Sequence, residues 1–427
     1  MIIQHDNTII IRFSFVFHSF FIRFSFVFHS FFRFSMTDAV LINQGAYGCL
    51  YHPGFECNGK TLSDTQYTTK LVVQDEVAEN EVEVGNIVMK ILNYDVNFVP
   101  VVDTCPVQLG KVRRHNPLAL RKCEVAETET EKVRGKKRFI LMKMPYIDSL
   151  YFYDYIGTMR ENKKKIISCI FDTFSYLIES IGRLVEHDVV HYDLKLENIL
   201  INLKTDTPII IDFGLSVPIK RLHAGTGSKQ RFWSTYFYKY SPQYYVWPLE
   251  AHVINFLHNE SDSGALTRDD VAAICETFVN ANSALRIFSK GFRARYLKAC
   301  IQQWEPLVGV SRNTACETLL QGWATWDNYS LSIAYLQILE FISSNGFTNN
   351  HLIIQYVELL LSNVHPDPAR RKTVGDTKRV FTDLFYMNKN VDTYDNIVQN
   401  FSIDAFVKTV RTLSRNSSMD SRAPFSL

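Results

Sequence analysis

The chain has 427 residues, 46% of them hydrophobic, and its 46 Lys and Arg against 44 Asp and Glu give a formal net charge of +2. That balance excludes a strongly basic nucleic-acid footprint, and the apolar content is ample for more than one packed region of a soluble protein. The eight cysteines (Cys49, Cys57, Cys105, Cys123, Cys169, Cys275, Cys300 and Cys316) form no Cys-x-x-Cys pair, so spacing suggests neither a zinc site nor a disulfide framework, and a reducing compartment suits them.

The first feature along the chain is an eleven-residue repeat, IRFSFVFHSFF, present identically at 11–21 and 22–32. Arginine and histidine interrupt its apolar run, so no uninterrupted span of about 20 residues exists to cross a membrane. Residues 1–35 are expected to be translated upstream sequence or disordered, with Met36 as the native start. Their alternating aromatic pattern is an aggregation liability if expressed.

Asn43-Gln44-Gly45-Ala46-Tyr47-Gly48 follows. Gly45 and Gly48 permit close approach of backbone to phosphate groups, with a plain β-hairpin turn as the alternative. Tyr67 to Val73 is β-branched and strand-like and carries Lys70, either a phosphate partner or an exposed strand lysine. A helix is expected from Glu76 to Leu92. Of its acids, Glu79 and Glu83 share a face while Glu81 points elsewhere, and Glu81 is the expected ion-pair acceptor for Lys70. The stretch from Gly110 to Arg138 is polar, charge-mixed and without a sustained period, and reads as a surface loop. Phe139 to Tyr146 reads as a strand. From Lys163 to Glu186 a 3.6-period stripe (Ile166, Ile167, Ile170, Phe171, Phe174, Leu177 and onward) predicts a core helix.

The most informative segment is His191-Tyr192-Asp193-Leu194-Lys195-Leu196-Glu197-Asn198, followed by a strand at Thr207 to Ile211 that leads into Asp212-Phe213-Gly214. Phosphoryl transfer asks for a base near the attacking hydroxyl, metal ligands and cations on the phosphates. Asp193 would supply the base, and Asn198 and Asp212 would supply oxygen ligands for Mg²⁺. Lys195 lies between Asp193 and Asn198 and can neutralise a γ-phosphate.

From Leu215 to Glu250 the chain is basic (Lys220, Arg221, Lys229, Arg231, Lys239) and suits acidic peptides or a solvated loop. Residues 251–325 contain helical stretches at Asp269 to Val279 and Leu285 to Leu307. They read equally as a partner-docking subdomain or as structural filling. Beyond Thr409 little apolar content remains, and a disordered tail is expected.

On these motifs the chain resembles the eukaryotic-type protein kinase superfamily from about Leu41 to about Arg371. Within it the chain looks most like the serine/threonine kinases of large nucleocytoplasmic DNA viruses. The resemblance implies a two-lobed α+β fold, with a small β-rich N-lobe at 36–146, a mainly helical C-lobe at 147–405 interrupted by the insertion at 251–325, and a tail at 406–427. It implies that ATP and Mg²⁺ bind in the cleft, that Gly45, Gly48, Lys70 and Glu81 serve the phosphates, and that Met142 and Met144 border the adenine. It also implies that Asp193 and Lys195 are catalytic and that serine or threonine hydroxyls of proteins are the acceptors. Asp327 of Trp326-Asp327-Asn328 would fix the catalytic loop, and Arg371 would pair with Glu250. Neither nucleic acid nor membrane is an implied partner; a viral enzyme would act in host cytoplasm or in the virus particle and would not be secreted. An inactive scaffold of the same fold and a small-molecule phosphotransferase stay open as alternatives. Tyr192 stands where most of the superfamily has arginine and cannot clamp a phosphorylated segment by charge, so little dependence on phosphorylation at Thr226, Ser228, Ser234 or Thr235 is expected.

Overall fold

Five strands, β1 (Leu41–Gly45), β2 (Gly48–Tyr51), β3 (Tyr67–Val73), β4 (Asp103–Val107) and β5 (Phe139–Pro145), pair antiparallel in the order β1-β2-β3-β5-β4. The computed structural model describes residues 39–45, 48–127, 138–159, 161–223, 229–343 and 351–387; the N-terminal repeat, Thr226, Ser228 and the serine-rich tail lie outside the described residues. Period-2 alternation gives this sheet two distinct faces. Lys70 pairs with Met142 and Thr68 with Met144, so these four side chains share one face. Helix α1 (Glu76–Val88) covers it, burying Ala78 with Val72, Ile140, Met142 and Met144. The Asp75 carboxylate starts α1 by accepting the Ala78 amide at 2.9 Å. The helix stops at Val88 rather than Leu92, because the chain turns through Asn93 in a left-handed conformation (φ 54°) and leaves Leu92 82% exposed.

The opposite face corrects two expectations. The stretch expected as a surface loop after Gly110 instead folds as α2 (Leu109–His115), a 3-10 turn at Ala119–Lys122 and α3 (Glu124–Glu127). It buries Val112, Leu120, Cys123 and Ala126 against Cys49, Tyr51, Leu71 and Leu141 of the sheet. Its apolar residues are spread over short turns of different pitch, which no single period captures. The cysteines of this region are also not free. Cys49 is bonded to Cys123 and Cys57 to Cys105, across 74 and 48 residues, which fastens the covering segment and the β2–β3 connection onto the sheet. Partners that far apart leave no spacing signature. The remaining four cysteines are free thiols.

The helical region begins with β6 (Ser149–Tyr151), α4 (Phe152–Thr158) and α5 (Lys163–Glu186). α5 spans the residues its apolar stripe predicts and buries Ile166, Ile170, Phe174, Leu177, Ile181 and Leu184. Around its C-terminal end run β7 (Val189–Val190), β8 (Ile199–Asn202), β9 (Thr207–Ile210) and β10 (Val217–Pro218). These make a β6-β8-β9 sheet and a β7–β10 pair. Next come α6 (Ile219–His223), α7 (Lys229–Tyr236) and α8 (Leu249–Asn259). α9 (Arg268–Ala281), α10 (Lys290–Trp304) and α11 (Arg312–Leu320) occupy the expected insertion. The helix expected from Leu285 is divided, because Ser289 caps a new helix by accepting the Phe292 amide at 3.1 Å. These helices fill the main core: Val271, Ile274, Phe278, Trp304 and Leu319 are buried with residues of α5 and of α12 (Trp326–Ser343). α13 (His351–Asn363) and α14 (Val374–Thr382) complete the region. The chain is thus a mixed α+β protein with a small antiparallel sheet region and a larger helical one. Among the described residues no helix is long and apolar enough to cross a membrane.

One buried ion pair ties three distant segments of the helical region. Arg371 meets Glu250 at the start of α8 with bonds of 2.7 and 2.9 Å, and it also donates to the His365 carbonyl (2.8 Å) and to the Thr325 hydroxyl (3.3 Å). Both side chains are buried, so removing one partner strands the other in low dielectric. Arg371→Ala is expected to cost about 3–5 kcal/mol of unfolding free energy, measured by urea denaturation.

Two residues along α8, His252 is fully buried beside Trp247 and Phe278. Burial pushes its pKa down from 6.5 to about 3. The folded state keeps the ring neutral while the unfolded chain protonates it, so stability is complete above pH 6.5 and is lost as pH falls from there toward 3. The slope is about 1.4 kcal/mol per pH unit for this one group. Urea midpoints of the parent should fall more steeply between pH 7 and pH 5 than those of His252→Gln, which cannot titrate.

Candidate active site

The site is built around the turn that follows α5 and β7. Asp327, at the start of α12 and buried, accepts the His191 amide at 2.6 Å and the Tyr192 amide at 3.0 Å, as expected. Burial works to raise its pKa, and the two amide hydrogen bonds oppose that by favouring the carboxylate. Tyr192 is thereby held in a left-handed backbone conformation (φ 68°), unusual for an aromatic residue and common at functional turns. Its ring is buried and stacks on Trp247 (4.8 Å between centroids, 19° between planes), and its hydroxyl accepts from Asn255 at 3.1 Å.

Downstream of this anchor the turn presents its polar groups. Asn198 donates its side-chain amide to the Asp193 carbonyl (2.9 Å) and to Asp193 Oδ2 (3.0 Å), closing the loop on itself and leaving the Asn198 amide oxygen to offer elsewhere. Lys195 Nζ lies 3.1 Å from the same Oδ2. Burial works against the Lys195 charge, but the Asp193 carboxylate outweighs it and raises the ammonium pKa. Asp193 Oδ1 accepts the Tyr244 hydroxyl, and Lys195 donates to that hydroxyl at 3.2 Å. Tyr244 is a site residue that sequence reasoning missed. It sits in the tyrosine-rich stretch before Glu250, where five Tyr within ten positions give no cue as to which one turns inward.

β9 delivers Asp212 to the same place. Its backbone is left-handed too (φ 66°), and Phe213 beside it packs edge-on to Phe98 (6.0 Å) and His191 (5.1 Å). The His191 ring nitrogen Nε2 lies 3.0 Å from the Ile211 carbonyl and so carries the proton that bridges them. From the sheet region, Lys70 reaches both Glu81 carboxylate oxygens at 2.8 Å and Asp212 Oδ1 at 3.4 Å. The choice of Glu81 over Glu79 and Glu83 is therefore the pairing found. Desolvation pulls the Lys70 pKa down, but the fields of Asp212 and Glu81 outweigh it and hold the ammonium above its ordinary value. Lys70 in turn holds Asp212 below the usual carboxylate range.

The remaining predicted residues take different roles. A Cβ on Gly48 would lie 2.6 Å from the Leu71 carbonyl oxygen, so this glycine is required by the approach of β2 to β3. Gly45 has open space around the same position and meets no such demand. Met142 is buried on the Lys70 face of β5, and the Met144 carbonyl accepts the Thr68 hydroxyl at 3.3 Å. Of the basic residues between Leu215 and Glu250, Lys220 pairs with Asp188 (2.9 Å) and Arg221 with Glu83, so these two charges are already engaged.

Asp212, whose side chain is 45% exposed, and Asn198 present hard oxygen donors. They suit Mg²⁺, which takes few protein ligands and completes its shell with phosphate and water. Among the described residues no cluster of three His, Cys, Asp or Glu would hold a metal by protein groups alone. No protein-family profile matches the chain, and no curated protein matches it.

The whole arrangement depends on the loop geometry that Asp327 imposes. Asp327→Ala should sharply reduce the hydrogen-exchange protection of the His191 and Tyr192 amides while leaving that of the α5 interior unchanged, read by mass spectrometry or NMR.

Proposed function

We propose that the protein is a serine/threonine protein kinase of two-lobed fold, transferring the γ-phosphate of ATP to protein hydroxyls with Mg²⁺. The observation that carries this reading is the convergence of two separately built groups: the Lys70–Glu81 pair of the sheet region and Asp212 of the helical region lie within 3.4 Å of each other, beside the Asp193–Lys195–Asn198 turn. A cation for the α- and β-phosphates, a base, a second cation and two oxygen ligands for metal are the parts that phosphoryl transfer requires. Met142 and Met144 lie on the Lys70 face of β5, and in this reading they border the adenine.

In this reading Lys70, kept charged by Glu81 and Asp212, binds the non-transferred phosphates. Asn198 and Asp212 would hold Mg²⁺, which when bound neutralises phosphate charge. Asp193 Oδ2 is engaged by Asn198 and Lys195, which orients the carboxylate, and Oδ1, which accepts the Tyr244 hydroxyl here, takes the acceptor's proton once the acceptor displaces that hydroxyl. Lys195, 3.1 Å from Asp193, stays protonated there and stabilises charge on the transferred group. The Tyr244 hydroxyl holds Asp193 and Lys195 in mutual register before an acceptor arrives. Lys195 favours serine or threonine acceptors, since tyrosine-specific relatives of the superfamily usually lack it.

Labelled phosphate from Mg-ATP should appear on casein as phosphoserine or phosphothreonine. Asp193→Asn should lower the rate about 10²–10⁴-fold with nucleotide binding retained. Equal rates from the parent and the variant, or no transfer by a folded, nucleotide-binding parent, would refute the reading.

A further inference from the structure

The strand that leads to Gly45 is held by little of its own. β1 lies at the edge of the sheet and four of its five residues are exposed, so burial alone does not fix where Gly45 and Gly48 stand. The segment covering the sheet on the face away from α1 supplies the ties. Asn116, buried after α2, accepts the Ala39 amide at 3.1 Å just before β1, and the Ala119 carbonyl accepts the Tyr51 hydroxyl at 3.3 Å at the far end of β2. Two adjacent residues then hold both strands at the end near the glycines. Cys123 is bonded to Cys49, the residue after Gly48, and Glu124 exchanges hydrogen bonds of 3.2 and 3.5 Å with Gln44, the residue before Gly45. Gln44 and Glu124 are exposed, as is the 2.9 Å bond from Asn43 to the Tyr151 hydroxyl, so water competes for both. Cys49 and Cys123 are 1% and 0% exposed, and their bond is the tie at this end that water does not weaken. The second disulfide, Cys57–Cys105, runs from the connection after β2 to the opposite edge strand β4, and Cys57 is exposed.

Resting on the kinase reading, in which Gly45 and Gly48 lie along the phosphates, we propose that Cys49 and Cys123 are positioning residues with a redox state: joined, they hold the two glycines in place for the phosphates of ATP, and reduced, they release them and nucleotide affinity falls. The step needs a dithiol reductant. One of its thiolates attacks a sulfur of the pair and its second thiol resolves the mixed disulfide. The S–S bond is replaced by S–H bonds on Cys49 and Cys123, and the reductant, having given up two electrons and two protons, leaves as a cyclic disulfide. Access orders the two bonds. Cys57–Cys105 meets the reductant first and the buried Cys49–Cys123 second, so only the second stage of reduction reaches the nucleotide. Lys70, Glu81 and the Asp193 turn lie outside these ties, so the loss falls on binding rather than on the transfer step.

The test uses the full chain purified without reductant, with peptide mass mapping to follow each cysteine and a fluorescent ATP analogue with Mg²⁺ as the probe. Its Kd is expected to rise about tenfold when dithiothreitol opens Cys49–Cys123 and to return on reoxidation, while kcat on casein stays within about twofold. The double variant Cys57→Ala, Cys105→Ala should bind as the oxidised parent does. The double variant Cys49→Ala, Cys123→Ala should bind as the reduced parent does and show no response to reductant. Amide exchange of Gly48, Cys49 and Leu50 should rise on reduction while that of β5 and α5 holds, which separates released glycines from an unfolded sheet. Equal Kd in the two states would overturn the proposal, as would a fall in kcat with Kd unchanged, loss of β5 protection together with that of β2, or free thiols at Cys49 and Cys123 in the protein as purified. If no form binds the analogue or labels casein, the kinase reading fails, and exchange alone still decides the tie: raised at Gly48 to Leu50 on reduction supports it, unchanged refutes it.

Discussion

Two backbone amides pointing at one buried carboxylate set the geometry on which the rest of the site depends. Asp327 is taken out of water by α12, and a carboxylate so placed is tolerable only when its oxygens are satisfied; here the amides of His191 and Tyr192 satisfy them. The arrangement works in both directions. The amides stabilise the charge, and the charge holds Tyr192 in a backbone conformation it would otherwise avoid, which reverses the chain and delivers Asp193, Lys195 and Asn198 to one side. Further hydrogen bonds from Asn198 to Asp193 then make the turn rigid from within. The electrostatic and backbone constraints cannot be separated, because neither holds alone.

A second level of organisation joins the two regions. Lys70 is fixed by a strand whose register with β5 is set by alternating apolar faces, and Asp212 by a strand whose register with β8 is set in the helical core. Their 3.4 Å approach is a contact between independently determined frameworks. Asp212 is more open to solvent than Glu81, so it can exchange Lys70 for another cation at small cost, whereas Glu81 has no such freedom. The difference in burial separates a carboxylate that orients the lysine from one that can take part in ligand binding.

What the sequence made legible follows from how local each signal is. The α5 stripe, the strand around Lys70 and the turn from His191 to Asn198 are decided by neighbours a few positions apart, and the structure places them as expected. Glu81 was accessible because helical geometry separates it from the face shared by Glu79 and Glu83. By contrast, Tyr244 reaches Asp193 across 51 residues and Asn80 reaches Ser216 across 136, distances at which one tyrosine or asparagine looks like any other. The disulfides failed to show for the same reason. The segment after Gly110 was misread differently: its apolar residues serve short turns rather than one long element, so composition alone made it look like a loop. The expected insertion proved to be core because its helices bury side chains among those of α5 and α12, which no pattern internal to the segment could reveal.

Position 192 shows how a change of chemistry alters what a turn can respond to. An arginine there would be a buried cation needing an anion, and its neighbourhood would change state with the arrival or removal of phosphate. Tyr192 needs only an aromatic surface and one hydrogen-bond partner, and Trp247 and Asn255 supply both from within the fold. The contact buries apolar area instead of exchanging ions, so salt screens it weakly. Trp247 lies just before α8, whose Glu250 is locked by Arg371, so the stacked pair rests beside a fully buried ion pair. A turn supported in this way is set at folding, by groups internal to the helical region.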